Sequence, residues 1–89
     1  MTRYEILVHG SVQGVGFRYF TALKAMQCNL YGFCRNLDNG NVKIEVQGDE
    51  SNILTFISLI RKGNNFCKIV NIDIRTIPLV ENCKKYKIY

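Results

Sequence analysis

The hydrophobic pattern of the chain predicts five strands and two helices. Alternation is clearest where Val42, Ile44 and Val46 are separated by polar residues, which is typical of a strand buried on one face. In the fourth predicted strand, the apolar residues slip in register near Val70-Asn71. The strands are expected at about residues 3–9, 30–37, 42–47, 67–76 and 86–89.

Two segments have the spacing of amphipathic helices. The first is expected at about residues 18–28, and the second opens at Asp49-Glu50-Ser51 and closes at Lys62-Gly63. The apolar face of the second helix is expected to contain Ile53, Phe56, Ile57 and Ile60, widened by Leu54. The weaker apolar face of the first helix is expected to contain Ala22, Leu23, Ala25 and Met26.

The order of these elements predicts an α+β fold. A β-α-β-β-α-β order with a short terminal strand is that of the split βαβ or ferredoxin-like sandwich, in which two helices cover one face of a mostly antiparallel sheet. A hairpin turn at Asp38-Asn39-Gly40 joins the second and third strands. The right-handed crossover makes the first two strands parallel, so we expect Asn36 at the same edge of the sheet as the end of the first strand.

Length and composition restrict the class of protein. Eighty-nine residues, 47% of them hydrophobic, predict one folded domain over residues 1–89 and argue against disorder. No apolar run has the length of a membrane span, and residues 1–5 lack the apolar region of a signal peptide, so we expect a cytoplasmic protein with no membrane partner. The net charge of +5 suits an anionic ligand, but it is more typical of a solvated basic surface.

The residues that most often bind metals are few and badly spaced for that purpose. The four cysteines, Cys28, Cys34, Cys67 and Cys83, match no zinc pattern, so no metal site is predicted. We expect free, mostly buried thiols, although the sequence also allows a disulfide. His9 is the one histidine and is expected to be structural rather than catalytic.

A glycine-rich loop between the first strand and the first helix is the candidate functional segment. It runs from Gly10 to Arg18, and such a loop can direct several backbone amides at an anion beside the positive end of a helix dipole. Arg18 adds a guanidinium, and phosphate is the expected ligand. The loop lacks the Walker lysine, and Tyr19 replaces the third glycine of the dinucleotide fingerprint. On the loop alone, a plain turn without a ligand is an equal alternative.

Two segments of the chain resemble the signatures of the acylphosphatase family. The first signature, G-x-V-Q-G-V-x-F-R, is matched from Gly10 to Arg18. The second, G-[aromatic]-x-x-N-x-x-x-G-x-V-x(5)-G, is matched by Gly32, Phe33, Asn36, Gly40, Val42 and Gly48. Both matches are complete and in the right order, and the family's size and strand order span the chain.

The resemblance implies a hydrolase that converts an acyl phosphate into a carboxylate and inorganic phosphate without a metal or cofactor. It implies that Arg18 is the main charged contact of the phosphate and that Asn36 holds the attacking water. Inorganic phosphate or sulfate is expected to bind in the same place, and we expect a monomer. The phosphate-binding residues implied in this way are Gln13, Gly14, Val15, Gly16, Phe17 and Arg18.

The side chains of four residues in or next to the first motif are not expected to contact the substrate. Gln13 is expected to offer its backbone, and Phe17 to anchor the loop in the core. Tyr19 and Phe20 are expected to pack rather than to contact the substrate. Family members often have Leu-Gly-Leu at residues 28–30 and Gly-Pro at residues 63–64, where this chain has Cys-Asn-Leu and Gly-Asn. Both departures are expected in turns away from the site.

Two other functions remain open. RNA-recognition domains share the predicted fold, and the chain is basic with five Tyr and five Phe, but its third strand lacks the aromatic residues of such a platform, so we expect no nucleic-acid partner. The other is a non-catalytic acylphosphatase-like domain, as found at one end of larger hydrogenase-maturation carbamoyltransferases. The free-standing length and the intact Arg18 and Asn36 disfavour it.

Overall fold

A computed structural model describes all 89 residues and shows five strands and two helices in the predicted order. The strands form one sheet in the order β4-β1-β3-β2-β5. Each predicted element is present, with ends within about two residues of those expected. The elements are β1 (Thr2–Ser11), α1 (Phe17–Gln27), β2 (Tyr31–Asn36), β3 (Val42–Gly48), α2 (Glu50–Lys62), β4 (Lys68–Ile77) and β5 (Tyr86–Ile88).

Strand directions confirm that β1 and β2 are parallel, as predicted. Both β1 and β2 pair antiparallel with β3, so β1 and β2 run in the same direction, with their carboxyl ends at one edge of the sheet. β4 pairs antiparallel with the other side of β1. β5 pairs parallel with β2, with Gly32 opposite Tyr86 and Cys34 opposite Ile88. The last strand therefore ends beside the carboxyl end of β2.

The end of β1 is bent by an irregularity opposite the predicted register slip. His9 pairs with Asn71, whereas Gly10 pairs with Ile69, which leaves Val70 without a partner on β1. Gly10 has a φ of 141°, and a Cβ atom there would lie 2.0 Å from the Lys68 carbonyl oxygen. Only glycine allows this approach, and the chain leaves the bulge directly into the glycine-rich loop.

Both helices contribute to one core of sixteen buried residues. In α2 the predicted residues Ile53, Phe56, Ile57 and Ile60 are buried, but Leu54 is 57% exposed, so its expected burial is wrong. Leu54 lies just outside the stripe that faces the sheet. Neither helix has the length and apolarity that crossing a bilayer would require.

The predicted apolar face of α1 is largely wrong. The helix buries Phe17, Thr21 and Ala25, while Leu23 and Met26 are exposed. Thr21 can be buried because its hydroxyl is hydrogen-bonded to the Arg18 carbonyl at 2.8 Å and to the Tyr86 hydroxyl at 2.9 Å. A hydrophobicity pattern that counts threonine as polar therefore misplaces this face.

Candidate functional site

A cavity of about 190 Å³ lies where the glycine-rich loop, the start of α1 and the end of β2 meet. Of the predicted site residues, it is lined by Gly14, Gly16, Phe17, Arg18 and Asn36. Gln13 and Val15 are in the same loop but do not line the cavity. The structure thus brings together residues from two motifs that are about 20 positions apart in the sequence.

The backbone amides of the loop have no acceptor inside the protein. From residue 14 to residue 19, none of these N–H groups donates a hydrogen bond to a backbone or side-chain atom of the chain. Gly16, with a φ of 74°, is the N-cap of α1 and offers no capping side chain, and the first turn holds no acidic residue. Such a helix start is well suited to an anion, because its amides and dipole are both unopposed.

The side chain of Gln13 fastens the loop to the β2–β3 hairpin. Its Nε2 atom donates hydrogen bonds to the Leu37 carbonyl at 2.7 Å and to the Asn41 carbonyl at 2.8 Å. Leu37 directly follows Asn36, so this bond pair couples the loop to the strand end that carries Asn36. With both Nε2 hydrogens used in this way, Gln13 has only its backbone N–H to donate to an anion.

Arg18 lies in the first turn of α1 and lines the cavity. Its Nη1 atom donates a hydrogen bond to the main-chain oxygen of Tyr89, just after β5. The Arg18 carbonyl accepts from the Thr21 hydroxyl at 2.8 Å and from the Cys34 thiol at 3.6 Å. Both the backbone and the guanidinium of Arg18 are therefore held from neighbouring elements. The contact with Tyr89 was not predicted, and no local sequence signal points to it.

Asn36 is the last residue of β2 and also lines the cavity. Its Oδ1 atom is buried and has no hydrogen-bond partner in the protein. An unpaired buried oxygen costs about 1–3 kcal/mol, so such atoms are rare unless a function requires them. Asn36 therefore lines the same cavity as Arg18 and the loop, and its Oδ1 atom has no competing partner in the protein.

Two side chains line the cavity that were not expected there, those of Tyr19 and Ile88. Tyr19 is 60% exposed and lines the cavity, so the prediction that it packs is wrong. Its place on the outer side of the first helical turn explains the exposure. Ile88 also lines the cavity from β5 and was missed. Phe17 is fully buried and Phe20 packs against it with ring centroids 5.9 Å apart, as predicted.

The remaining titratable groups near the site have structural partners. His9 is hydrogen-bonded to Asp73 at 2.8 Å and to Asn41 at 2.9 Å and does not line the cavity, as expected of a structural histidine. Burial, and next the nearby Cys34, raise the pKa of Tyr86, so its hydroxyl stays protonated. All four cysteines are free, and two of them, Cys28 and Cys34, are buried.

One of the departures from the family pattern lies at the site rather than away from it. Asn64, between α2 and β4, donates a hydrogen bond from Nδ2 to the Val15 carbonyl at 2.9 Å. The prediction that residues 63–64 affect only a distant turn is therefore wrong. Asn64 and Val15 are 49 residues apart, and a local turn pattern does not reveal a contact over that separation.

Comparisons with a family model and with a curated protein both point to one family. The family model described as Acylphosphatase matches residues 4–88. The chain is 53% identical to an acylphosphatase of Clostridium beijerinckii over 88 residues, which cover 99% of this chain and 98% of that protein.

Solved structures show the same similarity. A crystal structure of acylphosphatase from Bacillus subtilis superposes with a TM-score of 0.95 at 35% identity, covering 100% of this chain and 99% of that one. A crystal structure of full-length HypF in a phosphate- and nucleotide-bound form matches with a TM-score of 0.84 at 35% identity, covering 99% of this chain but 12% of HypF. The fold of this chain therefore occurs both alone and within a larger protein.

Proposed function

Because the chain belongs to the acylphosphatase family and is an acyl phosphate hydrolase, we propose that its cavity holds the phosphoryl group of the substrate. In this proposal the loop from Gln13 to Arg18 supplies backbone amides, Arg18 supplies charge, and Asn36 orients the attacking water. The observation that carries the proposal is that one cavity is lined by loop residues with unpaired amides, by Arg18, and by Asn36, whose buried Oδ1 is also unpaired.

The loop and Arg18 suit the phosphate of an acyl phosphate. Three equatorial oxygens of a phosphoryl group in transfer carry the charge, and catalysis of such a transfer rests mainly on positioning and electrostatic stabilisation. Amides at the start of α1 and a planar guanidinium can contact several of these oxygens together. The bond between Arg18 and Tyr89 keeps the guanidinium near the cavity before substrate binds.

Asn36 suits the water. A carboxamide both donates and accepts, so Asn36 can hold a water opposite the leaving group, and its Oδ1 has no competing partner in the protein. The carboxamide is too weak a base to remove the proton. In our proposal water attacks phosphorus, the bond between phosphorus and the acyl oxygen breaks, and a phosphate oxygen of the substrate accepts the proton.

The leaving group explains why no acid is needed. A carboxylate has a conjugate acid with a pKa of about 4, by comparison with Asp and Glu, and therefore departs without protonation. No His, Asp or Glu lines the cavity, in agreement with this requirement. Phosphomonoesters release poor alkoxide leaving groups and are expected to react slowly. No step in the proposal uses a metal or a cofactor.

The acyl group extends away from the phosphate, and we propose that Tyr19 and Ile88 contact it. Both line the cavity and both are substantially exposed, so an apolar acyl group would cover them. All proposed site residues belong to one chain, so a monomer would be sufficient for activity.

The roles are tested by hydrolysis of benzoyl phosphate, with p-nitrophenyl phosphate as the poor substrate. We expect Asn36→Ala to lower kcat strongly while inorganic phosphate still inhibits at about the wild-type concentration, because the variant retains Arg18 and the loop. Asn52→Ala, in α2, makes the same chemical change away from the cavity and is expected to match the wild type. Turnover by Asn36→Ala at the wild-type rate would exclude the water-positioning role.

A further inference from the structure

Asn64 uses both ends of its carboxamide to join the α2–β4 connection to the glycine-rich loop. Its Oδ1 atom accepts hydrogen bonds from the Phe66 amide at 3.0 Å and the Cys67 amide at 2.9 Å. Its Nδ2 atom donates to the Val15 carbonyl at 2.9 Å. The first two bonds lie within the α2–β4 connection, whereas the third joins that connection to the glycine-rich loop.

The bond to Val15 determines the direction of the next amide. The peptide between Val15 and Gly16 is planar and trans, so its carbonyl oxygen and its N–H group point in opposite directions. Asn64 holds the carbonyl on one side, which leaves the Gly16 N–H on the other. Gly16 lines the cavity, and its amide has no acceptor within the protein.

A hydrogen bond from outside the loop matters because a glycine-rich segment can adopt many conformations in the unfolded chain. Gly14 and Gly16, on either side of Val15, both have a φ of 74°. Glycine loses more conformational freedom on ordering than any other residue, so a glycine-rich loop needs contacts that favour one conformation. Val15 contributes such a contact through its carbonyl, and Gln13 contributes another through its side chain.

We propose that Asn64 is a positioning residue for anion binding, which orients the Gly16 amide towards the phosphate without touching the substrate. The proposal rests on the proposed function of the loop as a phosphate cradle. The rival explanation is that Asn64 serves only the connection in which it lies. The two explanations differ in the bond that they require, because the connection uses Oδ1 and the loop uses Nδ2.

Two substitutions separate these bonds. Asn64→Asp keeps an acceptor for the Phe66 and Cys67 amides but removes the donor to Val15. Asn64→Ser also keeps an acceptor, is uncharged like asparagine, and has a side chain one atom too short to replace Nδ2. Asn64→Ala removes both functions. Asn52→Ser, away from the loop, is the control for an Asn-to-Ser change.

The measurement is the dissociation constant of inorganic phosphate, with the phosphate-induced shift of the Gly16 amide proton followed by NMR. For Asn64→Ser and Asn64→Asp we expect the constant to rise about fivefold, as for loss of one neutral hydrogen bond, and the Gly16 shift to shrink. We expect KM for benzoyl phosphate to rise more than kcat falls, and the thermal midpoint of Asn64→Ser to stay near the wild-type value.

Unchanged phosphate affinity and an unchanged Gly16 shift in Asn64→Ser would overturn the proposal. A fivefold loss in Asn64→Asp alone would also overturn it, since the added charge would then be the cause. Phosphate binding is measured without turnover. If the wild type bound phosphate at Gly16 and Asn64→Ser bound it about fivefold more weakly, while neither hydrolysed benzoyl phosphate, the proposed function would be contradicted and the role of Asn64 supported.

Discussion

The two helices of this protein follow different rules. In α2 the apolar residues fall on one stripe and are buried, Glu50 lies in the first turn, and Arg61 and Lys62 lie in the last. These charges oppose the helix dipole and stabilise the helix. In α1 the first turn has no acidic residue and contains the cation Arg18, next to a glycine N-cap. That arrangement is unfavourable for helix stability.

The start of α1 is organised for ligand binding, and α2 for stability. The charges at the ends of α2 follow the rules that stabilise a helix, whereas these rules are broken at the start of α1, where residues with unpaired amides line a cavity. Proteins are expected to depart from such rules mainly at functional sites. Substitutions of buried residues in α2 should therefore change stability without changing chemistry, whereas substitutions of Arg18 and Tyr19 at the start of α1 should do the opposite.

The largest effect is expected for Phe56→Ala in α2. Phe56 is fully buried, and removing its ring should lower the free energy of unfolding by about 3–5 kcal/mol through lost burial and a cavity. Denaturant unfolding measures this change. The fraction that remains folded should keep the wild-type kcat for benzoyl phosphate. A Phe56→Ala variant that stays folded but has a lowered kcat would show that α2 also affects catalysis, contrary to the expected division of roles between the two helices.

Arg18→Ala should have the next largest effect, which should be on catalysis rather than on stability. We expect kcat/KM for benzoyl phosphate to fall by about a hundredfold or more, because a charged contact that strengthens in the transition state is lost. The free energy of unfolding should change little, since a cation is removed from the positive end of a helix. Arg61→Ala, at the other helix, is the matched control and should retain full activity.

If Arg18→Ala retained most of its kcat/KM, the guanidinium would not be the charged contact of the phosphate. If it unfolded at much lower denaturant than the wild type, the bond between Arg18 and Tyr89 would contribute more to the fold than to the site. Steady-state kinetics and denaturant unfolding of the same preparation distinguish these results.

A smaller effect is expected for Tyr19→Ala, one residue further along α1. Loss of an aromatic contact with the acyl group should raise KM for benzoyl phosphate about three- to fivefold relative to KM for acetyl phosphate. The control is Tyr31→Ala, which removes an exposed ring that does not line the cavity. An equal change of KM for both substrates would mean that Tyr19 does not recognise the acyl group.

Much of this fold follows from sequence patterns that act locally. The alternation of Val42, Ile44 and Val46 predicts β3, the spacing of Ile53 to Ile60 predicts α2, and the handed crossover places Asn36 near the loop. The confirmed expectations, including the register slip near Val70, all depend on neighbouring residues or on chain connectivity.

The rest depends on contacts between distant residues. Burial of Thr21 requires the hydroxyl of Tyr86, 65 positions away, and the bond between Arg18 and Tyr89 spans 71 positions. Asn64 reaches Val15 only because the α2–β4 connection passes over the loop. Neither hydrophobic periodicity nor turn chemistry contains this information, so the face of α1 and the supports of the loop could not be predicted.

The most direct test of the account is a crystal of the protein soaked in inorganic phosphate. We expect density for the ion in the cavity at the start of α1, within hydrogen-bond distance of the loop amides and the Arg18 guanidinium, with a water between the ion and Asn36. Density bound elsewhere on the protein, with residues 13–18 turned away from it, would contradict the account.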